Sequence, residues 1–492
     1  MTATHLSMGS AVQGTGGNAV KGSGIHSVKD IGSHRGTSAR HAAVTALLAV
    51  DTGKTTAQQA IEQAARAGRV SLSSEDRALL HELVNGVLRH RLFLDWALQQ
   101  VARETPYTRQ AVLKAILRVG AYQLLRLKRV PDYAAVDQSV ELTKARLGEK
   151  SAPLVNALLR NLIARRHNLT PPDLLEQPLE HISITYSHPP WLVRRWVKRY
   201  GVQRTITLCR FNNAPAPLTV RVNRLRLGAA DYRRVLQEEG ITSAPCAYAP
   251  GALHVEHGGP ITELPGYASG WFYVQDEASQ LVPWLLAPKP GDAVLDACAA
   301  PGGKATEIAE LMNNHGAVTA LDRSPERLAV VEENSRRLGV SIIRTVAADA
   351  TRPLPMIGPD GEPERFDRVL VDAPCSGLGV LRRHPEGKWI KDARSIYDSA
   401  RTASAILSNV APVLKPGGVL VYSTCSTEPE ENEAVVGAFL ERHRNFRMEN
   451  PGPLLPGAAS TLLTEAGCLS TVMTGDQMDG FFAARLIKVN GV

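Results

Sequence analysis

"PGDAVLDACAAPGGKATEIAEL", residues 290–311, decides the reading of the fold. An apolar strand ending at Asp296 runs into a turn with paired glycines, Gly302 and Gly303, and then into a helical pattern. Apolar strands alternating with helices recur downstream, in "AVTALD" (317–322), "RTVAADA" (344–350), "RVLVDAP" (368–374) and "GVLVYSTC" (418–425). Such alternation predicts a parallel sheet wrapped by helices, an α/β architecture. Asp296, Asp322, Asp349 and Asp372 each fall at or just after a strand's carboxyl end. One such aspartate reads as a helix cap. Four along one edge read as a site, because open α/β sheets bind ligands there.

The turn is neither G-x-G-x-x-G nor a P-loop, since Lys304 is followed by Ala305 and the glycine spacing differs. A phosphate cradle is therefore disfavoured. The free N–H groups of the following helix suit the carboxylate of an amino-acid-like cofactor. The glycines let a ligand approach the backbone closely. Asp322, about twenty residues on, stands where an acid commonly takes ribose hydroxyls. Two cysteines mark the remaining strand ends. Cys375 lies in "DAPCSGLGVLRRHPEGKW" (372–389) and Cys425 in "VYSTCSTEPEE" (421–431). Thr427 and Glu430 match a capping box, so a helix is expected to start just after Cys425. Its N-terminus would favour a thiolate, and its own acids would oppose it.

Outward from this region the texture changes. Residues 1–37, rich in Gly, Ser, Thr and His, read as a disordered tail. Residues 38–168 read as all helix, with apolar stripes such as Leu154, Val155, Leu158, Leu159, Leu162 and Ile163. Arg118, Arg126, Lys128, Arg129, Arg160, Arg165 and Arg166 lie off the stripes, as a solvated polar face or an RNA-facing surface. "LTPPDLLEQP" (169–178) is a linker. Residues 175–285 form a small α+β unit. In it "PPWLVRRWVKRYG" (189–201) is a helix ended by Gly201, with Arg194, Arg195, Lys198 and Arg199 on its basic side. "PLTVRVNRLR" (217–226) alternates as a half-buried strand, with Thr219, Arg221 and Asn223 on the polar face. Residues 286–490 hold the alternating strands.

The 492-residue chain has a formal charge of +8, which suits a polyanionic partner such as nucleic acid. Six scattered cysteines, with no C-x-x-C and no His-x-His, argue against a metal site or a disulfide framework and for a reducing, cytoplasmic setting. No apolar run is long enough to span a bilayer, and the N-terminus lacks the apolar core of a signal peptide.

"DACAAPGGKA", "ALDRS", "DAPCSGLGVLRRHPE" and "STCSTEPEENE", with "VQDEASQLV" before them and "DGFFAARL" after, resemble the RNA cytosine-5 methyltransferases in order and wording. The resemblance spans roughly residues 175 to 490. The helical region is similar to the NusB-type RNA-binding fold, and the combination resembles the RsmB (Sun-type) enzymes. Ala305 departs from the threonine usual there, which puts a helix-start hydroxyl in doubt.

The resemblance implies three folded parts. They are an all-α NusB-like RNA-binding domain, a small α+β domain, and a Rossmann-like class I methyltransferase domain dependent on S-adenosyl-L-methionine. It implies methylation of carbon 5 of a cytosine in 16S ribosomal RNA, naked or within an assembling small subunit. Cys425 is then the nucleophile that adds to carbon 6, Cys375 acts in product release, Asp372 meets the base, and Lys304 helps hold the site. Cys298, Ala299, Ala300, Pro301, Gly302, Gly303 and Lys304 would form the cofactor turn, with Asp322 on the ribose, Asp349 near the adenine and Asp372 adjoining. Cys209, Cys246 and Cys468 are read as structural, and the chain as a monomer. Rival readings are a transfer-RNA cytosine-5 methyltransferase, a non-catalytic RNA-binding assembly factor, and a DNA cytosine methyltransferase. The retained cysteine pair speaks against the last two.

Overall fold

The computed structural model describes residues 39–67, 72–102, 109–354, 364–472 and 478–489. The expected tail, residues 1–37, lies outside them. The first folded part is helical: α1 (Ala39–Asp51), α2 (Ala57–Ala67), α3 (Ser74–Ala102), α4 (Ala111–Arg126), α5 (Asp132–Leu147) and α6 (Ala152–Arg165). Their apolar stripes meet in one core that includes Leu80, Leu83, Leu94, Ile116, Leu117 and Leu159. Arg118 does not belong to the basic surface expected of this part. It is buried and bonds both oxygens of Asp95 at 2.7 Å. A charge leaves water only with such a partner. Lys128 and Arg129 are exposed.

Next come α7 (Pro178–Thr185) and α8 (Pro190–Asn213). Gly201, at φ +78°, breaks α8 where the sequence predicts an end, but a second helical stretch continues directly to Asn213. β1 (Leu218–Val222), α9 (Ala229–Glu238), β2 (Ser243–Pro245), β3 (Ala252–Val255) and β4 (Phe272–Val274) follow. Their antiparallel sheet runs β2-β3-β1-β4, with Tyr232 and Leu236 of α9 packed against it. The expectation of a half-buried β1 fails. Thr219, Arg221 and Asn223 are as buried as Val220 and Val222, because the polar face docks on the next domain instead of on water.

That domain contains α10 (Glu277–Leu286), β5 (Ala293–Asp296), α11 (Gly303–Leu311), β6 (Ala317–Asp322), α12 (Pro325–Leu338), β7 (Ile343–Ala347), β8 (Phe366–Asp372), α13 (Gly387–Ile390) and α14 (Ala393–Val410). It closes with β9 (Leu414–Thr424), α15 (Glu433–Arg442), β10 (Phe446–Met448), β11 (Leu469–Ser470) and β12 (Phe482–Lys488). The sheet order is β10-β12-β9-β8-β5-β6-β7, with β11 beside β12. β7, β6, β5, β8 and β9 are parallel, and β12 is antiparallel to β9. Successive residues alternate between two cores. Val294, Leu370 and Val421 enter one; Leu295, Val371 and Tyr422 enter the other. Strand order reverses between β5 and β8, so the crevice for a ligand opens between Asp296 and Asp372.

The helical domain is tied to this sheet domain through residues 386–389. Lys388, 1% exposed, donates its ammonium to Arg89 O (2.7 Å), Ser187 O (3.0 Å) and Asn213 Oδ1 (3.0 Å). Trp389 Nε1 donates to Leu88 O, and Glu386 accepts from Ala57 N at the start of α2. Burial pulls Lys388 down to about 7, yet all its partners are oxygens that only accept, so the ammonium form matches the site. Lys388→Met should leave these acceptors buried and unpaired, at roughly 1–3 kcal/mol each. Thermal unfolding should then report a melting temperature several degrees lower; an unchanged value contradicts the clamp.

Candidate active site

The crevice holds a cavity of ≈ 340 Å³ lined by the ends of β5, β8 and β9, by β4, and by Val380, Arg383, His384, Asp479 and Phe481 among others. Cys298, Ala299, Ala300, Pro301, Gly303, Lys304, Asp372 and Cys425 are all on its wall. The glycines of the turn have reasons of their own. Gly302 takes φ +101°, which side chains rarely adopt, and a Cβ on Gly303 would lie 3.0 Å from the Tyr273 ring. Thr306 supplies the first-turn hydroxyl that Ala305 lacks; it donates to Gly302 O at 2.7 Å.

Register brings the two cysteines together. β8 and β9 pair with Asp372 opposite Ser423, and both chains then leave the sheet on the same side. Cys375 Sγ and Cys425 Sγ come to 3.3 Å. The hydrogen bond with Cys425, then burial, pushes the Cys375 thiol well up, which favours its protonated form. Beside them Lys304 Nζ meets Asp372 Oδ2 at 2.7 Å, and Ser423 Oγ donates to Asp372 Oδ1 at 2.8 Å. Burial alone would lower the Lys304 ammonium, but Asp372 overrides it and raises it. A permanent positive charge therefore shares the cavity with Cys425.

The expected capping box is absent. α15 begins at Glu433, not just after the thiol, and Thr427 Oγ1 donates to Glu428 instead of capping a helix. Longer-range partners capture the acids first. Arg195 binds Glu428 and Glu430, Trp196 Nε1 donates to Glu428 Oε1 at 3.0 Å, and Arg199 donates to Thr427 O at 2.6 Å. Two arginines of the basic side of α8 thus grip the Cys425 loop, while Arg194 and Lys198 stay exposed. Glu431 accepts from Ser376 N and Ser376 Oγ, both at 2.6 Å, and from Ser426 Oγ, which laces the two cysteine loops together. Gly379 closes the third side: a Cβ there would sit 1.9 Å from Gly480 O.

Three models of protein families match the chain: "16S rRNA methyltransferase RsmB/F" over residues 283–487, "NusB family" over 37–164, and "Methyltr_RsmF/B-like, ferredoxin-like domain" over 188–262. The "Ribosomal RNA small subunit methyltransferase B" of Vibrio cholerae is 36% identical over 453 residues, covering 92% of this chain and 98% of its own. The chain belongs to the RsmB/F family of 16S rRNA methyltransferases. A Bacillus subtilis protein named "Probable ribosomal RNA small subunit methyltransferase B" is 37% identical, over 83% of this chain and 90% of its own. The crystal structure of PH0851 superposes with TM-score 0.75 at 25% identity, over 91% of this chain and 98% of that one. This RsmB/F-family chain is therefore a methyltransferase, with the three-part architecture the resemblance implies.

Not every residue singled out in the sequence reaches the cavity wall. Asp322 stands behind it, with Oδ2 accepting from Ala300 N and Arg327, and Oδ1 from Ser324 N. Asp349 is exposed past the end of β7, and bonds to Thr351 hold its carboxyl below the usual range. Other contributors escaped the sequence reading. Arg221 reaches from β1 to Gly303 O (2.6 Å), Thr306 Oγ1 (2.9 Å) and Glu310 Oε1 (2.8 Å), bracing the turn from behind. Arg383 joins Asp276 at 2.8 Å and Asp479 at 2.5 Å on the cavity's far wall. "VQD" and "DGFF" held those two aspartates, but nothing local marked them as a pair. Cys246, His254 and Glu277 hold one possible metal-ligand atom each within 4.8 Å of one another, off the cavity wall. Glu277 Oε1 already accepts from Tyr248 N and Ala249 N.

Glu431→Ala should remove the lacing between the cysteine loops at a cost of about 3 kcal/mol, since bonds to a charged group are worth roughly 1.5–3 kcal/mol. Urea unfolding reads the loss, and faster alkylation of Cys375 reads the parting of the thiols. A variant unchanged in both contradicts the role given to Glu431.

Proposed function

We propose that this methyltransferase modifies carbon 5 of a cytosine in 16S ribosomal RNA, through a transient bond between Cys425 Sγ and carbon 6 of the base. The observation that carries the reading is the pair of thiols at 3.3 Å beside the Lys304–Asp372 ion pair. The cavity also suits the cofactor that the family and fold imply, S-adenosyl-L-methionine. The N-terminus of α11 offers backbone N–H groups for its carboxylate, and the carboxyls of Asp296, buried, and Asp372, half-buried, suit its positive charge. Residues 298–304 would hold it, with Asp322 for the ribose and Asp349 toward the adenine. When bound it supplies the electrophilic methyl group.

The chain's own residues do the rest. Carbon 5 of cytosine is a poor nucleophile, and covalent catalysis splits the difficult step in two. Cys425 adds to carbon 6, and the electron pair of the 5,6 double bond moves toward carbon 5. Asp372, held by Lys304 and Ser423, takes the Watson–Crick edge of the base, and the Lys304 ammonium offsets the negative charge that moves toward ring nitrogen 3. Carbon 5 then takes the methyl. Water in the open cavity takes the carbon-5 proton, the electron pair of that C–H bond re-forms the 5,6 double bond, and the C6–S bond breaks; the leaving Cys425 sulfur takes the proton of Cys375, the thiol beside it, and Cys375 regains a proton from water. The target base must leave its stack to reach a thiol at the cavity wall. Lys128 and Arg129 of the helical domain, with Arg194 and Lys198 of α8, are exposed cations available to the RNA backbone. The chain would act in the cytoplasm as a monomer, on naked RNA or an assembling subunit.

Methyl transfer from labelled cofactor to unmodified 16S rRNA tests this, with wild type, Cys425→Ala and Cys375→Ala side by side. Cys425→Ala should lose at least about 10³-fold in rate, the scale of a missing nucleophile. Cys375→Ala should accumulate a protein–RNA adduct on denaturing gels. Full activity of Cys425→Ala overturns the assignment, and methylation of transfer RNA alone overturns the substrate.

A further inference from the structure

The β2-β3 hairpin of the small sheet sets a thiol beside an imidazole. Ala244 pairs with His254, and two residues on Cys246 N donates to Ala252 O, so Cys246 is the diagonal neighbour of His254 on one face. Glu277, the first residue of α10, brings a carboxylate to the same spot from the methyltransferase domain. One ligand-type atom of each lies within 4.8 Å of the other two, and none of the three residues is exposed. Tyr248 N and Ala249 N donate to Glu277 Oε1, and Thr219 Oγ1 lies 3.2 Å from His254 Nδ1. Such outer bonds are what orient ligating carboxylates and imidazoles. Burial holds His254 below the ordinary histidine value, so its ring is neutral and has a lone pair to give. Burial, then the charges of Glu277 and Asp276, push the Cys246 thiol far up. Acids gathered around a thiol oppose its ionisation; a divalent cation between them reverses that balance.

We propose that Cys246, His254 and Glu277 bind a zinc ion, with water as the fourth ligand. Thiolate, imidazole and carboxylate together suit zinc, whereas magnesium and calcium take oxygen ligands. Ligands about 2.0–2.3 Å from zinc stand roughly 3.3–3.8 Å apart, so the three side chains close by about 1 Å on binding. Charge balances: the ion meets one thiolate and one carboxylate, and the Cys246 proton leaves to solvent. Asp276, next in the chain, is not a ligand, because its oxygens already accept from Ala278 N, Asp479 N and Arg383. The site lies off the catalytic cavity, so its role is architectural. Two ligands come from the small sheet and the third from α10, whose capping residue Asp276 is on the cavity wall. The ion fastens the small sheet to that wall. The sequence expectation of no metal site rested on the lack of local cysteine and histidine motifs. Here the third ligand comes from another domain, and no local motif forms.

The test is zinc binding by the full chain, reduced and stripped of metal, read by competition with a chromophoric chelator. Wild type should take up zinc with a Kd of about 1 µM or tighter. Cys246→Ala should weaken that binding more than about 100-fold, since loss of even an outer partner of a ligand costs about 10–100-fold. Zinc should raise the melting temperature of wild type and leave that of Cys246→Ala unchanged. Zinc binding equally tight in a folded Cys246→Ala, or absent from wild type, overturns the proposal. Should the variant fail to fold, X-ray absorption at the zinc edge of the loaded wild type decides. One sulfur at about 2.3 Å, with nitrogen and oxygen at about 2.0–2.2 Å, supports the site. Two sulfurs place the ion on the Cys375–Cys425 pair, and no sulfur places it away from every thiol; either result overturns the proposal.

Discussion

The parallel pairing of β8 with β9, in the register that sets Asp372 against Ser423, is the constraint on which the site depends. Ala373 N donates to Ser423 O at 2.8 Å just past the last pair, so the two chains leave the sheet together. Cys375 follows Asp372 by three residues and Cys425 follows Ser423 by two. The same pairing lets Ser423 hold one oxygen of Asp372 while Lys304, from the neighbouring βα unit, holds the other. A slip along the strand would separate the thiols from the ion pair and turn apolar side chains such as Val421 and Tyr422 to the wrong cores.

Around that edge the other parts are fastened by buried charge. Arg221 joins the small sheet to the glycine turn and first helix turns of α11, Arg195 joins α8 to the Cys425 loop, and Arg382 and Arg383 hold Asp276 and Asp479. Buried ion pairs add little net stability, because desolvation cancels much of their attraction. They are costly to mispair, and that gives a unique docking. Here it means that the surfaces available to RNA are fixed relative to the thiols by directional bonds as well as by apolar contact.

The fold was legible in the sequence where it coincided with local pattern. The parallel strands announced themselves as apolar runs, and four of the five led into an aspartate at the edge where open α/β sheets bind ligands. The helical domain showed its stripes. What could not be read was long-range competition. The alternation in "PLTVRVN" is the same whether a polar face meets water or a neighbouring domain, so Arg221 looked solvated. Thr427 and Glu430 have capping-box spacing, but Arg195 lies more than two hundred residues away in sequence and takes Glu430. Arg118 looked like one cation of a basic face until Asp95 was seen beneath it. Gly201 does interrupt the helix where its end is expected, yet an interruption does not say that helix resumes at once.

The assignment of the two thiols is the central claim, and mapping the covalent bond tests it most directly. A 16S rRNA fragment with 5-fluorocytosine in place of cytosine offers no carbon-5 proton to lose, so the adduct with wild-type protein should persist. Digestion and mass spectrometry then identify the attached peptide. The account predicts RNA on the peptide that carries Cys425, with Cys375 free. Attachment at Cys375 would contradict it.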